Sequence, residues 1–145
     1  MLHPRWQDLQ LKQNPVNFSI AMGNAAAARN PDPAAVLTRA VLAAARRLGL
    51  RNRQLADVLG ASEASVSRLR GRRVIEPASK EGELALLFLR LYRSLDALVG
   101  GDDAKAEAWL RAENLHLNGI PAERIRTVEG LVDVVQYLDA MRGRL

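Results

Sequence analysis

The chain has 145 residues, no cysteine and a formal net charge of +5. This length suggests one domain or two small ones and leaves little room for a large catalytic architecture. Without cysteine there are no disulfides, thiol nucleophiles or cysteine zinc sites, and His3 and His116 lie too far apart in sequence to suggest a metal cluster. The N-terminus has no secretory pattern, and no run of about 18 uncharged apolar residues occurs. We therefore expect a cytoplasmic protein that needs no membrane, metal or cofactor.

Charge is distributed unevenly along the chain. Residues 1–32 carry a net charge of +1, residues 33–80 carry +7 and residues 81–145 carry −3. A basic segment attracts a polyanion such as DNA, although a basic solvated surface without a ligand is the alternative from composition alone. Together with the pattern of apolar residues, this change in charge predicts an N-terminal extension over 1–32, a DNA-binding domain over 33–80 and a second domain over 81–145.

The N-terminal extension lacks a sustained helical period, and prolines interrupt it. A short helix is expected only near Trp6 to Leu11, and Trp6, Leu9 and Phe18 are candidates to dock the extension onto a folded neighbour. From Pro33 onward, apolar residues recur at helical spacing, and no alternating strand pattern of useful length appears. The sequence therefore predicts an all-α fold. The expected helices begin near Pro33, Gln54, Glu63, Lys80, Asp103, Pro121 and Val128.

Residues 54–73 have the spacing of a helix-turn-helix. Gly60 supplies the corner between two short helices, and Ser62 caps the second helix. Val66 and Leu69 point inward, so the opposite face is free to enter a major groove. Arg68 suits a bidentate contact to guanine, and the arginines that follow suit phosphates. The predicted DNA-binding residues are Gln54, Ser62, Glu63, Ala64, Ser67, Arg68, Arg70, Arg72 and Arg73.

This segment resembles the Xre (Cro/repressor-like) helix-turn-helix family. The resemblance rests on the run from Leu55-Ala56 through Leu59-Gly60 and Ser62 to Val66-Ser67 and Leu69. It implies a Cro/repressor-like domain that binds operator DNA. A helical hairpin that kept the fold and lost DNA binding is the alternative.

Residues 84–145 are similar to the Xre/MbcA/ParS toxin-binding domain of bacterial type II antitoxins. The residues that carry the resemblance are Leu91, Leu95, Gly100, Trp109, Leu110, Asn114, Gly119, Pro121, Thr127, Glu129, Gly130, Val135, Leu138 and Gly143. The resemblance implies a small helical toxin-binding domain after the helix-turn-helix. It further implies a non-enzymatic antitoxin that neutralises a RES-type, NAD⁺-consuming toxin and represses its own operon. A stand-alone transcriptional regulator, whose C-terminal unit dimerises or senses a ligand, is the alternative.

Two surfaces of the C-terminal unit are expected to contact proteins. Its acidic bias suits a basic toxin face, and Gly143 permits a bend that would let the last residues project into the toxin's nucleotide cleft. A frayed terminus is the alternative for that tail. The predicted toxin-binding residues are Glu129, Asp133, Tyr137, Met141, Arg142, Gly143, Arg144 and Leu145. Because operators normally present two half-sites, a homodimer is expected, with its contact at Leu84, Leu87, Phe88 and Leu91.

No residue set predicts catalysis. Asp102 and Asp103 stand at a helix start, where carboxylates usually act as caps. His116 has no acidic or hydroxyl partner at a spacing that suggests a proton relay. We therefore expect no enzymatic activity.

Overall fold

A computed structural model describes residues 30–144 of the chain. These residues contain seven α-helices and no β-strand, which confirms the all-α prediction. The helices are α1 (Pro33–Arg47), α2 (Asn52–Leu59), α3 (Glu63–Ser67), α4 (Lys80–Leu98), α5 (Asp103–Arg111), α6 (Pro121–Arg124) and α7 (Val128–Arg142). Two 3₁₀ turns, Arg68–Arg70 and Leu115–Leu117, complete the list. The expected helix near Trp6 to Leu11 lies outside the described residues.

Side-chain caps begin four of these helices. The hydroxyl or carboxylate oxygens of Ser62, Ser79, Asp102 and Thr127 each accept a hydrogen bond from the backbone N–H three residues later. Each cap satisfies one of the N–H groups that a helix start leaves without an intrahelical partner. Asp102 is thus confirmed as a cap.

Helix α4 is the central element of the unit that begins at Pro33. Its residues Phe88, Leu91 and Leu95 are completely buried. Helix α7 packs along α4 more extensively than any other helix, while α1 and α2 pack against other parts of it. From Pro33 onward the described residues form one compact unit. Side chains from both the basic and the acidic segments contribute to a single apolar core.

One glycine permits a close approach between chain segments. A Cβ atom at Gly130, in the first turn of α7, would overlap the carbonyl oxygen of Arg124 at the end of α6. The end of α6 and the start of α7 can therefore meet here only through a residue without a side chain.

Candidate DNA-binding and partner-binding surfaces

The corner of the helix-turn-helix is built as the sequence predicts. Gly60 has a φ of 65°, in the left-handed region, and its N–H donates to the carbonyls of the preceding turn of α2. The Ser62 hydroxyl accepts from the Ser65 N–H at 3.1 Å and so starts α3. At the other end of α2, the backbone N–H of Arg51 donates to Gln54 Oε1 at 2.9 Å. The Gln54 amide oxygen is therefore occupied, whereas its amide nitrogen keeps donors that suit a phosphate.

Helix α3 presents a polar outer face. Val66 and Leu69 are buried and hold the helix against the core. The helix is shorter than predicted, since the α-helical part ends at Ser67 and a single 3₁₀ turn follows. All five residues predicted on its outer face are exposed: Ser62, Glu63, Ala64, Ser67 and Arg68.

Arg73 has a different environment from the one predicted. It was expected among the phosphate-binding arginines, but all three of its side-chain nitrogens donate hydrogen bonds within the protein. Nη1 and Nη2 bind the two carboxylate oxygens of Glu81 in α4 at 2.6 and 3.1 Å, and Nε donates to the Ser65 carbonyl at 3.2 Å. Three of the five guanidinium N–H groups are thus used within the protein and the charge is balanced by Glu81, which makes Arg73 a poor ligand for a phosphate. Arg73 therefore anchors α3 to α4.

The other arginines near α3 remain available. Arg68 and Arg72 are exposed, and neither side chain makes an ion pair or hydrogen bond within residues 30–144. Arg70 is also exposed and makes one long hydrogen bond, 3.4 Å from Nη2 to Asn52 Oδ1. These three cations follow the exposed face of α3 directly and suit a phosphate backbone.

Two further arginines extend the basic surface, and the sequence analysis did not assign them a role. Arg39 and Arg46 lie seven residues apart on α1, and both are exposed. Arg39 lines a groove of about 570 Å³ together with Arg70 and Arg72, and Arg46 lines a neighbouring groove that also includes Arg70. Because residues seven apart share one helix face, their spacing was a signal that could have identified them.

A three-ring aromatic stack marks one side of the C-terminal half. Tyr137 of α7 lies between Trp109 and His116, with ring centroids 6.2 and 5.9 Å away. Tyr137 and His116 also line a polar cleft of about 400 Å³ with Arg124 and Asp133, which form an ion pair at 2.6 Å. Arg124 Nε is buried in this region without a hydrogen-bond partner in the described structure. Aromatic rings beside a polar cleft are suited to a protein contact.

The predicted toxin-binding residues do not form one patch. Asp133 and Tyr137 line the polar cleft, and Glu129 is exposed nearby on α7. Arg142 and Gly143 instead line a groove beside Arg90 of α4. Met141 is half-buried and Arg144 is exposed, whereas Leu145 lies outside the described residues.

The expected bend at Gly143 is absent. Gly143 has φ −66° and ψ −10°, which is right-handed helical backbone, and its N–H donates to the Asp139 carbonyl. The helical course of α7 therefore continues through Gly143. Any residue can adopt this backbone conformation, so it does not require a glycine at position 143.

The predicted dimer contact is wrong for most of its residues. Phe88 and Leu91 are completely buried within the chain, Leu84 is 8% exposed, and Leu87 is only partly accessible. Side chains already packed in the monomer core cannot also contact a second copy. The exposed large apolar residue of α4 is Leu86, at 52%.

Polar contacts connect the helix-turn-helix to the C-terminal half. Asp57 of α2 pairs with Arg126 at 3.0 Å, in the turn before α7. Arg47 Nη1 donates to the Tyr92 hydroxyl at 2.9 Å, and this hydrogen bond raises the pKa of Arg47 above its ordinary value. The first contact connects α2 to the turn before α7, and the second connects α1 to α4.

Two features are absent from residues 30–144. Among residues 30–144, no group of three or more histidine, cysteine or acidic side chains is arranged to hold a metal ion. No helix in this part of the chain has the length and hydropathy needed to cross a membrane.

Comparison with protein families finds two matches. Residues 27–90 match the antitoxin Xre-like helix-turn-helix domain, and residues 94–144 match the antitoxin Xre/MbcA/ParS C-terminal toxin-binding domain. No curated protein matches the chain significantly. The two family matches follow one another along the chain and meet within α4.

Proposed function

Because the chain joins an Xre-like antitoxin helix-turn-helix domain to an Xre/MbcA/ParS toxin-binding domain, we propose that it neutralises a RES-type toxin and represses its own operon. It acts in the cytoplasm, as a homodimer on DNA, and without enzymatic activity of its own. The family matches support toxin binding and DNA binding. We add to these matches the proposals that the toxin is of the RES type and that the chain represses its own operon.

The observation that carries the DNA-binding role is the exposed face of α3 with its unpaired arginines. Val66 and Leu69 fix the helix from behind, so that its outer side chains are presented rigidly to a major groove. Arg68 is free to donate two parallel hydrogen bonds to guanine, and Glu63 is placed to accept from a cytosine amine. Arg70 and Arg72 on one side, with Arg39 and Arg46 on α1, supply phosphate contacts that are independent of sequence.

The observation that supports toxin binding is the polar cleft with its aromatic stack. Half-buried aromatic side chains in a pocket are typical anchor positions of protein interfaces. Tyr137 contributes ring area and a hydroxyl, and the partly exposed ion pair of Arg124 with Asp133 adds polar groups to the cleft. The exposed carboxylate of Glu129, one turn from Asp133, adds attraction for a basic partner.

The decisive experiment uses the full chain, tagged and expressed in its own host. Proteins retained by the tag are identified by mass spectrometry, and the retained protein is then expressed alone while cellular NAD⁺ is measured. We expect one small protein that depletes NAD⁺, and restoration of NAD⁺ when the full chain is co-expressed. DNA from upstream of the chain's own gene should be shifted by the same preparation in a gel.

A matched pair of variants separates toxin binding from overall stability. Tyr137→Ala with His116→Ala removes the cleft face of the stack and should release the toxin while DNA binding persists. The control is Val36→Ala, which shortens a partly exposed side chain on α1. If the wild-type chain retains no partner on the column while it still shifts DNA, the chain is a stand-alone regulator and the antitoxin proposal is wrong.

A further inference from the structure

The outer face of α4 carries an exposed row of side chains that the core does not use. Glu83, Leu86, Arg90, Arg93 and Ala97 are all exposed, and they succeed one another at steps of three and four residues. This spacing places them in one line along the helix, as at the contact between two packed helices. Leu86, at 52% exposure, is the apolar centre of this row, which we call the outer stripe.

Charges along the outer stripe are arranged asymmetrically. Glu83, near the start of α4, pairs only with Lys80, and both side chains are mostly in solvent, at 63% and 85% exposure. Arg93, near the other end, makes no ion pair within residues 30–144. It lines a groove of about 370 Å³ with Leu86, Leu89, Arg90 and Arg142. Arg142 likewise has no acidic partner in the described part of the chain.

Arg90 differs from its neighbours because its charge is already balanced. Arg90 Nη2 lies 2.5 Å from Asp139 Oδ2 of α7, and Ser94 donates to the other oxygen of the same carboxylate at 2.7 Å. Its aliphatic stem is therefore available as an apolar surface beside Leu86. The groove thus combines an apolar floor with two uncompensated cations.

We propose that a second copy of this chain binds on the outer stripe, with the two α4 helices antiparallel. Glu83 and Arg93 are equally distant from position 88 in sequence, and so are Leu86 and Arg90. A two-fold axis at that level places Glu83 opposite the partner's Arg93, and Arg93 opposite the partner's Glu83. Leu86 then lies over the aliphatic stem of the partner's Arg90. A parallel pairing would oppose like charges, which disfavours it.

The proposal deepens the proposed function, because a two-fold dimer presents two copies of α3 to the two half-sites of an operator. It replaces Leu84, Phe88 and Leu91 as the dimer contact by residues on the opposite side of the same helix. A basic toxin is a poor occupant for this groove, since its two unpaired groups, Arg93 and Arg142, are themselves cationic.

Charge reversal with rescue tests the pairing. Sedimentation equilibrium of the full chain, without DNA or toxin, should show a dimer. In either single variant, Glu83→Arg or Arg93→Glu, like charges face each other at both symmetric contacts. The dimer dissociation constant should therefore rise about tenfold to thirtyfold at low salt. The double variant restores opposite charges and should recover most of the lost affinity. The control for Glu83→Arg is Glu113→Arg, which makes the same change of net charge at an exposed residue outside α4 and should leave the dimer intact.

Two results would overturn the proposal. One is a dimer that persists unchanged in Leu86→Asp, with circular dichroism confirming that this variant folds. The other is a wild-type chain that stays monomeric at all concentrations. If Leu86→Asp released the toxin from a monomeric chain, the occupant of the stripe would be the toxin and not a second copy. Since sedimentation needs neither DNA nor toxin, a failure here would remove the homodimer from the proposed function, whereas toxin binding is decided separately by the retention experiment.

Discussion

Arg72 and Arg73 are adjacent in sequence but should behave oppositely when each is replaced by alanine. Arg72 is exposed and unpaired, whereas all three side-chain nitrogens of Arg73 are bound to Glu81 and Ser65. The Arg72 variant should therefore lose DNA affinity without loss of stability. The Arg73 variant should lose stability first.

The magnitude follows from burial. The side chains of Arg73 and Glu81 are 28% and 19% exposed, so their pair lies between a surface ion pair and a fully buried one. Removing Arg73 also leaves the Ser65 carbonyl and the Glu81 carboxylate without their donors. We expect Arg73→Ala to lower the free energy of unfolding by about 1–3 kcal/mol. Arg72→Ala should change it by less than about 0.5 kcal/mol.

Urea unfolding and salt-dependent DNA binding measure the two effects separately. A loss of about 2 kcal/mol lowers the urea midpoint by about 1 M. In fluorescence anisotropy, Arg72→Ala should reduce the slope of log affinity against log salt by about one for each bound copy. Glu81→Ala should cost little more in the Arg73→Ala background, because the pair is already broken. If Arg73→Ala kept the wild-type midpoint and flattened the salt slope, Arg73 would be a phosphate ligand and our reasoning would be wrong.

Three other substitutions test the recognition helix and the C-terminal half. Arg68→Ala should weaken operator binding by about 1–3 kcal/mol and reduce the preference over random DNA, which competition gel shifts measure. Gly130→Ala should destabilise the fold by about 1–3 kcal/mol, since its Cβ would overlap the Arg124 carbonyl. The control Gly143→Ala sits on helical backbone with space and should be neutral or stabilising by up to about 1 kcal/mol in the same urea assay. Trp109→Ala removes a half-buried ring and should lower the free energy of unfolding by about 2–3 kcal/mol. An unchanged urea midpoint would place this ring outside the core.

Local chemistry made much of the fold predictable from the sequence. Ser62 and Asp102 cap helices as predicted, because a short polar side chain at a helix start has one dominant use. Gly60 forms the predicted corner for a similar reason. The sequence also placed the start of α4 at Lys80, where the structure has it.

Long-range contacts limited the prediction of the functional surfaces. Nothing in the local sequence distinguishes Arg73 from Arg72, since the difference depends on Glu81 approaching from another helix. In α4 the apolar residues cover more than half of the helix circumference, so periodicity alone did not show which of them another helix would bury. Phe88 and Leu91 proved to face the core, and Leu86 proved to face solvent.

Helix α4 contributes to both family domains, so neither domain can be separated from the other without cutting into its support. The family matches end at residue 90 and begin again at residue 94, both inside this helix. Its first half supports the helix-turn-helix, where Glu81 holds Arg73 and Leu84 lies against the corner at Gly60. Its second half supports α7 through the Ser94–Asp139 hydrogen bond. A cut at either end of α4 would thus expose a face that is buried in the intact chain.

We therefore expect the described unit to unfold as one cooperative body. In a Trp6→Phe background, Trp109 fluorescence reports on the C-terminal half, and circular dichroism reports on all the helices. Leu84→Ala, a change beneath the helix-turn-helix, should lower the urea midpoint seen by both probes equally, by about 1–2 M for a loss of 2–4 kcal/mol. Two separate transitions, with the fluorescence midpoint unmoved, would show that the halves fold independently. Coincident transitions would mean that a toxin bound at Tyr137 acts on the same folded body that positions Arg68 for DNA.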